Sequence, residues 1–559
     1  MTRHYYDICL NRPTTQLFGA FTYSSDLPLN IGTLVQVTFR GRKTSGVIIS
    51  SPVRPQIPLP RILGVDKVLS CGAVIDRRGL ELARTIARYY ITSLGEVIFA
   101  MLPPVPIASK LAVVTSRPTH TGQSTSIILE RDFSSRMLYY TSKIKDVIER
   151  GGQVLVLMPN RRLADYAAKY CKTIFSIRSV AHITSQASRS TVVKQYNEII
   201  EGKKHIIIGT RKAVFAPASN LRLIIMEEPS NYGYFNDQKP AYSARIVVEA
   251  CRQIYGVATI YGMSVVDNES LWQLKHKEKT ALGGHPKNSA AIAWLEGDYK
   301  AELAKPVIKS KLIVVPFAKG MVLICPYCNR ASLCATCQAP LAADGKGMAV
   351  CSRNHRASLP PCSGCGAAFP VYEGLTPESV ANQVSVAPTK TVYGQKSLSA
   401  DVAKRRPLVV VATAKILDYP ELVFDETVIL AADVWLSFSN PQAISNFLKL
   451  FWQLKSQTTS RLAVHSFQAL PSLQQYTHAP KSVMLGAFMK QYHQLNLPPF
   501  TRKIIALPKK GTSSISKILQ AQPTAENLYY LPRSNWPLSL SQAEALYGVC
   551  RKVTIDAPY

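Results

Sequence analysis

The segment "LRLIIMEEPSNYGYF" occupies residues 221–235. Leu223 to Met226 form an apolar run that leads straight into Glu227 and Glu228. A short apolar run stopped by polar residues reads as a buried strand of a parallel sheet. The metal-binding strand of a nucleotide-driven motor ends in this way, with an aspartate where this chain has Met226. Around it, from about 127 to 275, helical patterns alternate with strands at "QVLVLMP", "SVAHIT", "HIIIG", "LRLIIM" and "ATIYG". That alternation predicts a parallel sheet covered by helices on both faces. A second α/β pattern over 371–470 has strands at "PLVVVAT", "ETVILAA" and "RLAVHS".

The chain has 559 residues, too many for one core at roughly 100–200 residues per domain. Residues 1–105 alternate apolar and polar residues around Gly32, Gly41 and Gly46, then turn helical and stop at "LPPVP". Residues 106–126 read as a polar linker, and 471–559 as a mixed α/β tail. There are 66 Lys and Arg against 35 Asp and Glu, a net charge of +31. A field of that sign concentrates polyanions and points to nucleic acid. No stretch reaches the ~18 apolar residues a membrane span needs, and "MTRHYYDICLNRP" has no signal-peptide pattern. The expected location is the cytoplasm, on the nucleoid, with no membrane partner.

Seven of the 12 cysteines crowd between Cys325 and Cys365. Three CxxC pairs stand there: Cys325/Cys328, Cys334/Cys337 and Cys362/Cys365. Each such turn lets two thiolates reach one tetrahedral ion about 2.3 Å away. Two zinc ions need eight ligands. Cys351 supplies the seventh, and His355 four residues later is favoured as the eighth over Asn354, whose amide is a poor zinc ligand. A redox dithiol set is the alternative, which three adjacent pairs disfavour. Fully coordinated sites leave no open position, so these ions would be structural.

Several motifs together resemble one family, the PriA-type primosomal protein N′, the replication-restart DNA helicase. "FTY" with "NIGTLVQVTFRGRKTSGVI" is similar to its 3′-DNA-end-binding domain, and "RYYITSLGEVIFAMLPP" to the helices that close it. "IIIGTRKAVFAPASNLRLIIMEEPSNYGYFNDQKPAYSAR" resembles a helicase segment ending in an acidic box. The cysteine island resembles the family's paired zinc sites, where the first pair joins the last around one ion and the inner residues hold the other. "KQYHQLNLPPFTRKIIAL" resembles the start of its C-terminal domain. The resemblance implies a multidomain α/β chain: a β-rich N-terminal DNA-binding domain (1–105), a linker (106–126), two RecA-like helicase-type lobes with parallel sheets (127–310 and 371–470), a zinc-binding insertion (321–370) and an α/β C-terminal domain (471–559). The family's winged-helix domain has no counterpart between residue 104 and the first lobe.

Aligned with the family's motor parts, the chain departs at four places. Phe133, Ser134, Ser135, Arg136 and Met137 fall on the Gly-Ser-Gly-Lys-Thr of the phosphate loop, with Glu130 and Asp132 adding negative charge nearby. Without glycine the tight phosphate wrap is costly, and Met137 cannot bind Mg²⁺. Met226 falls on the Mg²⁺-organising aspartate, Glu227 on the water-polarising acid and Pro229 on the coupling histidine. Met263-Ser264-Val265 replaces Ser-Ala-Thr, and only Arg461 stands where an arginine pair belongs. Glu227 and Glu228 are then expected to end in a solvated loop, with no catalytic residue and ATP–Mg²⁺ disfavoured. The parts for holding DNA remain. Phe21 and Tyr23 fall on base-stacking positions of the 3′-end pocket, flanking Thr22 at an acidic position. Gly32 matches a pocket glycine, and Arg40, Arg42 and Lys43 form a basic loop. Thr210 and Arg211 match a strand-tracking motif of the first lobe, with Thr413 in a similar place in the second. The expectation is a restart protein that binds branched or 3′-ended DNA and recruits replication or repair proteins. A working 3′–5′ helicase with an unconventional nucleotide site and a zinc-dependent assembly scaffold are the alternatives.

Overall fold

The computed structural model describes residues between 3 and 556, with its longer breaks at 115–123, 284–289, 336–340, 368–374, 399–406, 437–442 and 479–488. The chain begins with a five-stranded antiparallel sheet in which His4–Leu10 and Arg42–Ser50 are central neighbours. Thr33–Phe39 turns into Arg42–Ser50 through Arg40 (φ 48°) and Gly41 (φ 75°), which places Phe39 opposite Arg42. Two positive φ angles in a two-residue connection match the right-handed twist of the strands. The helix Arg77–Tyr90, capped by Asp76, and the helix Leu94–Met101, started by a Ser93/Glu96 capping box, close the domain. Their side chains Leu80, Ile86, Leu94 and Ile98 are buried, as the 3.6-residue period requires.

The first lobe is a seven-stranded parallel sheet. Its order runs Thr280–Gly283, Thr125–Leu129, Ala258–Gly262, Leu221–Glu227, Gln153–Leu157, Ile206–Gly209, Val180–Ile183. Leu221–Glu227 is therefore the middle strand, buried at every position but Arg222. All five strands marked from the sequence are present. Helices Phe133–Glu149, Arg161–Ile174 and Ala244–Tyr255 cover the sheet.

The second lobe is a six-stranded parallel sheet ordered Ala291–Glu296, Thr458–Ser466, Phe424–Ile429, Ser310–Val314, Leu408–Ala412, Thr389–Val392. The lobe boundaries differ from the expected ones. Thr125 already lies in the first sheet, and Ala291–Glu296 and Ser310–Val314 belong to the second. A strand pattern shows that a strand exists. Its sheet is set by partners more than a hundred residues away. Between the strands Ser310–Val314 and Leu408–Ala412 sits a small antiparallel ladder of Met321–Val322, Leu341–Ala343, Met348–Cys351 and Arg356–Ser358. The C-terminal domain pairs Thr501–Pro508 between Leu528–Pro532 and Cys550–Ile555. It packs against the start of the chain: Arg88 Nε donates to Leu538 O at 2.9 Å, and the Tyr89 and Trp536 rings meet edge-on at 5.9 Å. Among the described residues no helix is long and apolar enough to cross a membrane.

Candidate functional site

The middle strand delivers Glu227 to the C-terminal edge of the first sheet, the place where ligands bind in open α/β sheets. The helix Phe133–Glu149 runs beside it and turns Arg136 and Tyr140, one helical turn apart, toward the same point. Arg136 is 3% exposed and Glu227 is 1% exposed. Arg136 Nε reaches the Glu227 Oε1 and Oε2 atoms at 3.0 and 3.2 Å, and its Nη2 bonds to Oε1 as well. Tyr140 donates its hydroxyl to Oε2 at 2.6 Å. Burial pushes the Glu227 carboxyl above its ordinary range, against the pull of Arg136. The guanidinium is also desolvated, yet the two glutamates hold it firmly protonated. Gly262 is what lets this cluster close. A Cβ there would sit 1.4 Å from the Tyr140 hydroxyl and 2.7 Å from Glu227 Oε2.

Glu228 takes a positive φ of 47° and donates its N–H to Gly262 O at 2.7 Å. Its Oε1 accepts from Ser264 N at 2.8 Å, Ser264 Oγ at 2.7 Å and Gln453 Nε2 at 2.9 Å. Its other oxygen meets Lys449 Nζ at 2.8 Å, and Arg136 lies 3.6 Å away. Burial alone would raise this carboxyl, but Lys449 and Arg136 outweigh it and bring it down to about 2. The expected solvated loop is therefore corrected: both glutamates are buried, because cations from one neighbouring helix and from the other lobe compensate them. Lys449 and Gln453 share one face of the second-lobe helix Ala443–Ser456. The lobes meet again at Arg162, which stacks 3.6 Å from the Tyr419 ring centre and bonds to Asp418 O and Glu421, while Asn160 donates to Asp418 at 2.6 Å.

The other positions that the resemblance aligns with motor parts are engaged elsewhere. Met226 is fully buried in the core of the first lobe and Met137 is 2% exposed. Arg461 forms a two-pronged pair with Glu302 at 2.5 and 3.1 Å within the second lobe. Glu130 and Asp132 lie outside the described residues.

Thr210 and Thr413 occupy matching places. Each follows a buried strand and caps a one-turn 3₁₀ helix, Arg211–Phe215 in one lobe and Ala414–Asp418 in the other, with nearly equal backbone angles. Arg211 donates to Phe235 O at 3.0 Å.

In the N-terminal domain Arg40, Arg42 and Lys43 are exposed at the hairpin tip. Phe21 is half-buried and packs on Phe39 with ring centres 4.5 Å apart. Arg12 and Arg40 lie 5.0 and 5.5 Å from the Phe39 centre. Tyr23 is corrected from a stacking surface to a core ring: it is 3% exposed, and its hydroxyl donates to Thr38 O at 3.1 Å. Strand alternation puts Phe21 and Tyr23 on one face and Thr22 on the other, and on that shared face Tyr23 is the deeper ring while Phe21 packs at its margin. Gly32 has φ +89°, and a Cβ there would come within 2.0 Å of Ile75 O. Three residues were not singled out from the sequence. Phe39 and Arg12 complete the aromatic platform, and Asp7 holds Thr22 Oγ1 at 2.8 Å and Ser50 Oγ at 2.6 Å. Asp7 faces Thr22 across the sheet, so only strand pairing reveals it.

The cysteine island separates into two groups. Cys325, Cys362 and Cys365 converge, as do Cys334, Cys351 and His355, with ligand atoms in each group within 4.8 Å. Cys325 Sγ and Cys365 Sγ are 3.6 Å apart, and Cys334 Sγ and His355 Nδ1 also 3.6 Å. Tetrahedral bonds of about 2.3 Å to zinc place sulfurs just under 4 Å apart, so these donors fit such an ion. Cys328 and Cys337 lie outside the described residues. Among the described residues the apolar cluster under this ladder is Leu323, Cys334, Leu341, Ala349 and Cys351, little core for an independent fold.

Residues 7–103 match the family model of the PriA 3′ DNA-binding domain. The chain is 24% identical over 255 residues to the replication restart protein PriA of Rickettsia prowazekii, covering 42% of this chain and 39% of that protein. It is 22% identical over 361 residues to the PriA of Helicobacter pylori strain J99, covering 60% and 57%. These matches span less than two thirds of either relative. A solved structure of RecG bound to a three-way DNA junction aligns with 68% of this chain and 48% of its own, at 11% identity and a TM-score of 0.36. With a match to the PriA 3′ DNA-binding domain at its start, two parallel-sheet lobes behind it and Cys/His groups gathered in an insertion, this chain is similar to the PriA replication restart proteins.

Proposed function

We propose that this protein is a DNA clamp for replication restart, one that holds forked or 3′-ended DNA and recruits replication or repair proteins without hydrolysing nucleotide. The observation that carries this reading is the buried Arg136–Glu227–Tyr140 cluster. A phosphate loop needs a free cation for the β- and γ-phosphates and a carboxylate for Mg²⁺. Here the cation is spent on the carboxylate, and both are sealed from water. Met226 offers a thioether to a hard ion that takes oxygen ligands. Opening the site would strand a charge in the core, at a cost of about 3–5 kcal/mol for a broken buried pair.

DNA would be held by general features. Phe21 and Phe39 offer a stacking platform flanked by Arg12 and Arg40, while Arg42 and Lys43 take phosphates. Asp7 returns a carboxylate beside Thr22, where a terminal hydroxyl would be met. Thr210, Arg211 and Thr413 face the backbone of a single strand, and Gly32 keeps the pocket wall close. Two zinc ions, on Cys325, Cys328, Cys362 and Cys365 and on Cys334, Cys337, Cys351 and His355, would shape the insertion and take no part in chemistry.

The test is ATP hydrolysis by the full chain with and without forked DNA. The expected result is no DNA-stimulated turnover, alongside fork binding that nucleotide does not change. Hydrolysis that disappears in Glu227→Gln would instead establish a working motor with an unconventional site.

A further inference from the structure

The N-terminal domain, the first lobe and the C-terminal domain enclose a cleft of about 300 Å³ that the platform and the lobes do not account for. Pro13 and Thr14 line one side, Lys239 of the first lobe another, and Lys509, Arg551 and Lys552 the third. Four cations thus converge from two domains distant in sequence. Glu96 is the carboxylate on the wall, and it is already committed to the hydroxyls of Thr92 at 3.0 Å and Ser93 at 2.8 Å. Lys509 Nζ donates to Gly548 O at 2.6 Å and Lys552 Nζ to Asp237 O at 3.3 Å. A neutral carbonyl orients the Lys552 ammonium without cancelling its charge. Lys239 and Arg551 are exposed and take no carboxylate partner among the described residues. Gathering like charges in one cleft raises its potential, and an anion relieves it.

The cleft also adjoins the aromatic platform. Arg12 lies against the Phe39 ring, and the next two residues, Pro13 and Thr14, form the cleft wall. Two residues of chain span at most ~7 Å. A volume at the lower end of the ~300–1,000 Å³ of ligand pockets admits a single strand and not a duplex. Another cationic hollow, near Lys203 and Lys204, differs because those lysines pair with Glu201 and Glu198.

We infer that this three-domain cleft is a phosphate-backbone subsite, receiving single-stranded DNA that continues from the Phe21–Phe39 platform. The inference rests on the clamp reading above, so its test must separate the two. Binding of the full chain to a duplex with a 3′ single-stranded tail is followed by fluorescence anisotropy from about 50 to 200 mM salt. Each phosphate contact to a single strand contributes about 0.7 to the slope of log K against log salt. Lys239→Ala/Arg551→Ala is expected to lower that slope by about 1.4, two such contacts, and to weaken binding at least tenfold at low salt. Lys239→Arg/Arg551→Lys keeps the slope, as does Lys203→Ala/Lys204→Ala in the paired hollow. A neutralised variant with the wild-type slope and affinity overturns the subsite and leaves the clamp standing. Wild-type protein that shows no salt-dependent binding overturns both. Capture of an acidic peptide by the cleft, with DNA affinity indifferent to Lys239 and Arg551, would make it a protein-docking site and also overturn the proposal.

Discussion

Arg136, at the position where the family resemblance implies a phosphate-loop lysine, has the Glu227 carboxylate for its partner. Removing it leaves the Glu227 carboxylate buried with Tyr140 as its donor among the described residues. Arg136→Ala should destabilise the first lobe by about 3–5 kcal/mol in denaturant unfolding, whereas Arg136→Met/Glu227→Met should recover most of that loss. Gly262 makes a second prediction. In Gly262→Ala the new methyl meets the Tyr140 hydroxyl, so the variant should lose about 1–3 kcal/mol. Combining it with Tyr140→Phe should recover part of the loss, read as non-additivity in a double-mutant cycle. At this scale the sequence shows that Met226 and Met137 offer no oxygen ligand to a hard ion whatever surrounds them. It does not show what Arg136 and Glu227 do. The Arg136–Glu227 bond joins residues 91 positions apart, and nothing in either local pattern announces it.

The elements carry a different lesson. Apolar runs located strands such as Leu221–Glu227 and Leu408–Ala412, because a strand buried on both faces must be apolar throughout, and passed over others such as Thr280–Gly283 and Ala291–Glu296. The expected bounds of the first lobe, 127–310, take in Ala291–Glu296, which pairs in the second sheet, because parallel pairing is non-local. The cysteine insertion is legible for the opposite reason. CxxC spacing is itself a ligand geometry, so the donors can be read from the sequence, while the grouping of the first pair with the last is what the resemblance implies and what the described residues Cys325, Cys362 and Cys365 match. The insertion should contain two zinc equivalents per chain by metal analysis. Chelation should unfold it while leaving the two parallel sheets intact, since structural zinc contributes roughly 10–16 kcal/mol to such small folds. Protease cleavage confined to 321–370 after chelation would be the readout. Cys362→Ser should lower the metal content to about one equivalent.

The whole molecule is joined by buried charge. Glu228 ties the lobes together through Lys449, and Glu269 ties the first lobe to the C-terminal domain through Arg502 and Arg533. Burial would raise each carboxyl, yet the facing cations hold both at about 2. Folded values below the ordinary 4.5 mean that the joints are fully stabilised above about pH 4.5 and weaken as pH falls toward 2. X-ray scattering should show the molecule expanding over that window, with Glu228→Gln/Glu269→Gln already expanded and flat with pH. Nucleotide should leave the scattering unchanged, because Lys449 and Gln453 already close the lobe cleft. By itself, the sequence determined the types of the marked elements, the cysteine spacing, the basic charge and a methionine rather than a carboxylate at position 226. Each is a property of one residue or of a short period along the chain. The tertiary structure decided which strands share a sheet, that Glu227 and Glu228 are buried, that Asp7 lies beside Thr22, and that four cations line one cleft. Those depend on the burial of charge and on contacts between residues up to several hundred positions apart, and local pattern carries no trace of them.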